Sequence, residues 1–146
     1  MLTVNLEHFS PENYFFPTAG NSLALVVDND LDSLTLTAEI VRFCGCCALT
    51  ATNSQNALQL ALAYQPTIIL LELMLPEMDG ISLAMQLRQH TSCPIIAVTS
   101  LPKFLFGAKA LAAGCNDFLE KPVVVESLES TIFRFLNISS SASPSE

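Results

Sequence analysis

The chain has 146 residues, of which 51% are apolar and only 14% charged, so it is long enough for one domain with a well-filled core. Its net charge is −8, and its six Lys and Arg residues are scattered. This argues against a nucleic-acid surface, because contacts to phosphate need clustered cations. No stretch approaches the roughly 18 uninterrupted apolar residues of a membrane span, and the N-terminus lacks the pattern of a secretory signal. We therefore expect a cytoplasmic protein that contacts neither nucleic acid nor membrane.

The first half of the chain alternates apolar runs with helical patterns. Residues 23–27 predict a strand, and residues 31–44 predict a helix that stops before Gly45. Residues 46–50 predict a second strand. Ser54 is placed to cap a helix that runs on to residue 64.

The second half continues the alternation. An apolar run at residues 68–71 predicts a buried strand that ends at Glu72, and a turn bounded by Pro76 and Gly80 follows. The remaining elements are a helix at 81–90, a strand at 94–98, a helix at 102–113, a strand at 116–119 and a helix at 124–136. Strict alternation with short connections predicts a doubly wound α/β domain, in which right-handed crossovers join parallel strands.

Both ends of the chain depart from this alternation. Residues 1–21 hold aromatic residues and prolines without clear periodicity, and two interpretations stay open: packing on the domain, or a partly ordered arm. We place the domain at residues 22–137. Residues 138–146 form a Ser-rich tail that we expect to be mobile.

The five cysteines need a separate interpretation. Their number is odd and nothing points to an oxidising compartment, which argues against a disulfide framework. Cys44 and Cys47 have the CxxC spacing, but they follow a predicted helix and enter a strand, with no second ligand pair nearby. The pattern favours small buried core residues over a redox or metal role.

Polar side chains follow four of the five predicted strands. They are Asp28 and Asn29 after the first strand, Glu72 after the third, Thr99 after the fourth and Lys121 after the fifth. Because the carboxyl ends of parallel strands meet at one edge of a sheet, where ligands bind, these groups are expected to lie together. Carboxylate and amide oxygens suit Mg²⁺, while a hydroxyl and an ammonium suit the oxygens of a phosphoryl group.

The same residues lie in motifs that resemble the receiver domain of two-component response regulators, from about residue 22 to residue 136. The motifs are VVDND at 26–30, LLELMLPEMDG at 70–80, VTS at 98–100 and LAAGCNDFLEKP at 111–122, with the helix that follows. The resemblance implies a flavodoxin-like fold, with helices on both faces of a five-stranded parallel sheet in the order 2-1-3-4-5. It also implies a role in phosphorelay signalling.

The resemblance further implies roles for single residues. In that family the third strand ends in an aspartate that takes phosphate from a histidine kinase, and Glu72 holds this position. The metal ligands implied are Asp28, Asn29, Glu72 and the backbone carbonyl of Met74. The residues implied to contact the phosphoryl group or to switch with it are Thr99, Phe118 and Lys121, of which Phe118 is the aromatic residue that repacks on activation.

Two positions depart from the family pattern, since Glu72 replaces the acceptor aspartate and Asn29 replaces the second acid of the metal pair. Glutamate extends its carboxylate about one bond length further, and a misplacement of ~1 Å can slow an in-line reaction ~100-fold. An amide ligand in place of a carboxylate also weakens a magnesium site. We therefore expect no normal phosphorylation of Glu72 and, at most, weak Mg²⁺ binding.

Two functions remain open for Glu72. Its carboxylate could mimic the phosphoryl group by bonding Lys121 and Thr99, which would give a partial bias because one charge replaces about two. Alternatively, Glu72 only pairs with Lys121, and the domain is a static adaptor without metal or phosphoryl switching.

An enzyme or a flavoprotein fits the same residues poorly. Phosphatases with an aspartyl nucleophile need Asp where Glu72 lies and usually a second Asp at Met74. A flavin site would need a phosphate-cradling loop after the first strand, where Asp28 and Asp30 would repel the phosphate.

Output is expected through surfaces, because only ten residues follow the last predicted helix. We therefore expect a stand-alone receiver-like domain. The expected partners are a histidine kinase, a downstream signalling protein, or a second copy bound through the fourth helix, fifth strand and fifth helix. Phe104 and Phe106 could place an aromatic ring on that face, although core positions are the favoured interpretation.

Overall fold

Five strands and five helices alternate along residues 22–137, the part of the chain that the computed structural model describes. The strands are β1 Leu23–Val27, β2 Cys47–Ala51, β3 Ile68–Leu71, β4 Ile95–Thr99 and β5 Asp117–Glu120. The helices are α1 Leu31–Phe43, α2 Ser54–Tyr64, α3 Gly80–Arg88, α4 Lys103–Ala113 and α5 Val125–Leu136. The predictions for residues 1–21 and 138–146 lie outside the described residues.

All strand pairs are parallel, and the sheet order is β2-β1-β3-β4-β5, which confirms the predicted fold class. The central strands are aligned at their carboxyl ends, since Val27 pairs with Leu71 and Leu71 pairs with Ala97. The residues that follow β1 and β3 therefore emerge side by side at one edge of the sheet.

Side chains of the central strands alternate between two apolar cores, one on each face of the sheet. Leu25, Ile69 and Leu71 belong to the core beneath α2, α3 and α4, whereas Ala24, Val26, Ile68 and Leu70 belong to the core beneath α1 and α5. Every residue of β3 is fully buried or nearly so. A strand covered on both faces explains why its sequence is a continuous apolar run rather than an alternation.

The start of α2 corrects one prediction. Asn53, not Ser54, is the N-cap: its side-chain oxygen accepts a hydrogen bond from the backbone N–H of Asn56 at 2.8 Å. Ser54 is instead the first helical residue and is buried. Asn and Ser are equally good caps, so residue type alone could not choose between neighbours.

Gly80 is needed for close approach rather than for an unusual turn conformation. A Cβ atom at this position would lie 2.4 Å from the Cα atom of Leu73 and 2.7 Å from the carbonyl oxygen of Glu72. Asp79 caps α3 by accepting from the backbone N–H of Ser82 at 2.8 Å. The Asp79-Gly80 pair thus holds the start of α3 against the segment that follows β3.

The cysteines behave as packing residues. All five thiols are free, and Cys44, Cys46 and Cys115 are buried. Burial raises the pKa of Cys44 to about 11, of Cys46 to about 12 and of Cys115 to about 11. Protonated thiols are poor nucleophiles and poor metal ligands, so these three cysteines agree with the core interpretation, whereas Cys47 and Cys93 are only partly buried.

The two phenylalanines at the start of α4 have different environments. Phe104 is 85% exposed while Phe106 packs partly against the core, so the favoured core interpretation holds for Phe106 and is wrong for Phe104.

Among residues 22–137, no helix combines the length and the apolar character that crossing a bilayer requires.

Candidate functional site

Three charged side chains meet at the carboxyl edge of the sheet. Lys121 places its Nζ atom 2.7 Å from Asp28 Oδ2 and 2.8 Å from Glu72 Oε1. Asp28 and Glu72 are each only 4% exposed. One ammonium therefore bridges two buried carboxylates.

Backbone hydrogen bonds to the neighbouring strands fix the position of each of these three residues. The N–H of Asp28 donates to the carbonyl of Ala51, and the N–H of Glu72 donates to the carbonyl of Val27. In the same way, the N–H of Lys121 donates to the carbonyl of Thr99 at 2.7 Å. Each charged residue thus lies one hydrogen bond beyond its strand, so the parallel sheet itself positions the cluster.

The other oxygens of the two carboxylates are also hydrogen-bonded. Asp28 Oδ1 accepts from the backbone N–H of Asp30, and Glu72 Oε2 accepts from the backbone N–H of Met74, both at 2.9 Å. All four carboxylate oxygens therefore have a donor. A buried carboxylate is stable only with such partners, and here every carboxylate oxygen of the cluster has one.

Lys121 is held in its charged form. Burial alone would lower the pKa of its ammonium, but the hydrogen bonds and negative charges of Asp28 and Glu72 outweigh that effect and raise the pKa above its usual value. An ammonium paired in this way remains protonated at neutral pH.

Thr99 lies at the edge of the cluster but makes no hydrogen bond to it. Its side chain is fully buried, and its Oγ1 atom accepts from the backbone N–H of Leu101 at 3.2 Å. Within residues 22–137, no hydrogen bond joins Glu72 to Thr99. Of the two contacts that mimicry of a phosphoryl group predicts, the structure has the one to Lys121 and lacks the one to Thr99.

The remaining predicted residues have three different environments. Phe118 is buried in the core beneath α2, α3 and α4. Asn29 is exposed and lies next to Asp28 in the chain, outside the charged cluster. Met74 contributes its backbone N–H, which donates a hydrogen bond to Glu72 Oε2.

The sequence predicted the pairing of Glu72 with Lys121 but missed the equally short contact between Lys121 and Asp28. Two acids and one lysine at neighbouring strand ends could have indicated it, because a single ammonium must balance both charges. The backbone donors of Asp30 and Met74 could not have been predicted, since they depend on loop conformation.

Parallel strands in this order, with acids after β1 and β3, a threonine at the end of β4 and a lysine after β5, define a receiver-type domain. The chain matches the response regulator receiver domain family over residues 24–133 and belongs to that family.

Similar proteins agree with this assignment. Transcriptional regulatory protein SrrA of Staphylococcus aureus is 42% identical over 72 residues, which cover 49% of this chain and 30% of that protein. The chain thus spans about a third of the length of the curated relatives it matches. A two-component response regulator from Clostridium difficile has a TM-score of 0.77 at 26% identity, over 80% of this chain and 97% of its own. A Francisella response regulator receiver domain has a TM-score of 0.75 at 26% identity, over 80% and 98%.

Receiver domains typically bind Mg²⁺ at the acceptor site, but the residues of this chain do not fit the ion as they are arranged. The carboxylates of Asp28 and Glu72 are engaged by Lys121 and by backbone donors. In the described part of the chain, no three His, Cys, Asp or Glu side chains are grouped closely enough to share a metal. A divalent ion at this position would compete with the Lys121 ammonium for Asp28 and Glu72.

Proposed function

We propose that this chain is a receiver-like domain of two-component signalling that acts through protein contacts without normal phosphorylation. The observation that carries the proposal is the environment of Glu72. Its carboxylate is buried, its Oε1 atom lies 2.8 Å from Lys121 Nζ, and its Oε2 atom accepts from the backbone of Met74.

This environment suits a structural carboxylate better than a phosphate acceptor. An attacking oxygen must lie about 3–3.5 Å from phosphorus and in line with the leaving group. The longer side chain of glutamate places its oxygens at other positions, and both are already hydrogen-bonded. Attack would need these bonds to break before any new bond formed.

The alternative functions of Glu72 differ in one contact. A static adaptor needs only the pair with Lys121, whereas a mimic of the phosphoryl group also needs Thr99. Because no hydrogen bond joins Thr99 to Glu72 within residues 22–137, the described contacts favour the adaptor. A structure of the Glu72→Asp variant tests the point: unchanged positions of Thr99 and Phe118 would remove the mimicry hypothesis.

Labelling with acetyl phosphate in the presence of Mg²⁺ tests the proposal itself. We expect no label on the wild-type protein or on a Glu77→Asp control, which carries the same change at an exposed position in the same loop. Stoichiometric label on Glu72 of the wild type would overturn the proposal. Label on the Glu72→Asp variant alone would assign the loss of the reaction to the extra carbon.

The proposed partners are a histidine kinase, a downstream signalling protein or a second copy of this chain, in a cytoplasmic setting and without enzymatic turnover. Phe104 and Leu111 are seven residues apart and therefore share one side of α4, where both are exposed. This supports pairing through α4, β5 and α5. Sedimentation of the Phe104→Asp variant tests it, because a dimer that uses this face should dissociate.

A further inference from the structure

A groove separates α3 from α4 on the face of the sheet opposite α1 and α5. Its volume is about 380 Å³, and its apolar lining comes from Leu73, Ile81, Leu101 and Phe106. Three of these side chains, those of Ile81, Leu101 and Phe106, pack on the core but are only partly covered. The groove therefore offers apolar surface that the domain covers only in part.

The rim of the groove carries one cation, Lys109, and one acid, Asp79, and the two have different environments. Lys109 lines the groove with its Nζ atom 5.7 Å from the centre of the Phe106 ring. No carboxylate in residues 22–137 lies within ion-pair distance of this ammonium. Asp79, the acid on the opposite wall, already accepts hydrogen bonds from the backbone N–H and the hydroxyl of Ser82.

The helix that carries Lys109 has a positive charge, although the chain as a whole is acidic. The sequence of α4 is KFLFGAKALAA, with two lysines and no acid, whereas the whole chain has a net charge of −8. An apolar groove beside a free cation complements a ligand that combines apolar groups with a carboxylate.

We propose that this groove binds a short acidic segment of a partner protein. One or two Leu or Phe side chains of that segment would enter the groove, and a neighbouring Asp or Glu would pair with Lys109. The volume suits a few side chains rather than a folded surface, which is why the occupant is a linear segment.

Binding at this groove would also reach the charged cluster. Leu73 follows Glu72 in the chain, and the backbone N–H of Leu101 is the donor that holds Thr99 Oγ1. A segment that moves Leu73 or Leu101 would therefore shift the surroundings of both residues. The proposal extends the function through protein contacts proposed above, but it does not depend on whether Glu72 accepts phosphate.

Titration of the isotope-labelled chain with a short synthetic peptide of Glu, Leu and Phe, followed by NMR, tests the proposal. We expect amide shifts at Leu73, Leu101 and Lys109, with smaller shifts at Glu72 and Thr99. The Lys109→Glu variant should bind about tenfold more weakly, because an attractive pair becomes a repulsive one. Lys103→Glu is the matched control, since it makes the same change on the same helix outside the groove, and it should change the affinity less than about twofold.

Several results would overturn the inference. One is an equal loss of peptide affinity in Lys103→Glu and Lys109→Glu, and another is equal affinity for a peptide with Lys in place of Glu. The others are amide shifts confined to the side of α4 that carries Phe104 and Leu111, and no amide shift at millimolar peptide concentration. Failure of the proposed function can be told apart from failure of this inference. It would appear as phosphoryl label on Glu72 in the acetyl phosphate experiment, while the result of the peptide titration would not change.

Discussion

At the scale of single residues, the charged cluster depends on Lys121. Two carboxylates that are each 4% exposed would repel one another without the ammonium between them. Removing one partner of a buried ion pair is strongly destabilising, because an uncompensated charge stays buried. The stability of this edge of the sheet therefore depends on one side chain from β5.

Replacing Lys121 by Met should lower the free energy of unfolding by about 3 kcal/mol, since Asp28 and Glu72 lose their shared counter-charge. Urea unfolding at pH 7 measures the change. Lys109→Met is the matched control, because that lysine is exposed and should change stability by less than about 0.5 kcal/mol. Equal effects of the two substitutions would mean that the cluster contributes nothing specific.

Magnesium should leave the wild-type stability unchanged, because Lys121 already occupies both carboxylates. In the double variant Asn29→Asp with Glu72→Asp, a third acid and a shorter side chain should restore binding. About 10 mM Mg²⁺ should then add roughly 1.4 kcal/mol to the stability for a dissociation constant of about 1 mM. Thermal unfolding in MgCl₂, against NaCl of equal ionic strength, measures the difference, and wild type stabilised as much as the double variant would contradict the prediction.

At the scale of elements, the strands were predictable because the physical cause is simple. Residues that must be buried on both faces form continuous apolar runs, and the predicted limits of β1 and of the apolar part of β3 agree with the structure. Helix ends were less predictable, since α3 stops at Arg88 rather than at residue 90, and Asn53 takes the capping position expected for Ser54. Caps depend on the conformation of one residue, which the sequence pattern does not specify.

Gly80→Ala should destabilise the domain by about 2–3 kcal/mol, although alanine favours helices, because the new Cβ atom would overlap the backbone of Leu73 and Glu72. Gly107→Ala in α4 is the matched control. Its Cβ atom would meet only the flexible side chain of Lys103 at 3.2 Å, so a gain of up to about 1 kcal/mol is expected. Denaturant unfolding of the two variants measures the contrast, and the same sign for both would contradict the close-packing explanation.

At the scale of the whole molecule, the parallel sheet and the gathering of Asp28, Glu72 and Lys121 followed from the order of the elements, whereas the strand order followed from the resemblance to receiver domains. Alternating strands and helices admit few topologies, and parallel strands bring their carboxyl ends together. The bridging of both acids by Lys121 and the groove between α3 and α4 did not follow. Both depend on how side chains and helices from distant parts of the chain pack, and no local pattern carries that information.

Stability should fall at alkaline pH. The folded-state pKa values of Cys44, Cys46 and Cys115 lie above 9.0, the ordinary value of a cysteine thiol, and burial is the main cause. Above pH 9 the unfolded chain therefore loses protons that the folded chain keeps. The pKa of Lys121 is also raised, so its contribution is complete below 10.5 and is lost as the pH rises through the folded-state value. Both effects have the same sign.

Urea unfolding between pH 8 and 11, in reducing buffer, measures this dependence, and we expect a loss of at least about 2 kcal/mol. The Cys46→Ala variant should show a shallower slope, because it removes the thiol whose pKa is raised furthest. A slope identical to that of the wild type would contradict the assignment to buried thiols.

The carboxylate of Glu72 is attached to the chain by carbon–carbon bonds, which water does not cleave. A phosphoryl group leaves its receiver by hydrolysis, and that loss acts as a timer which ends a signal. Under the proposed function, the ion pair between Glu72 and Lys121 has no such timer, because no hydrolysis removes either partner. Control of the signal would then fall to how fast the protein is synthesised, degraded or captured.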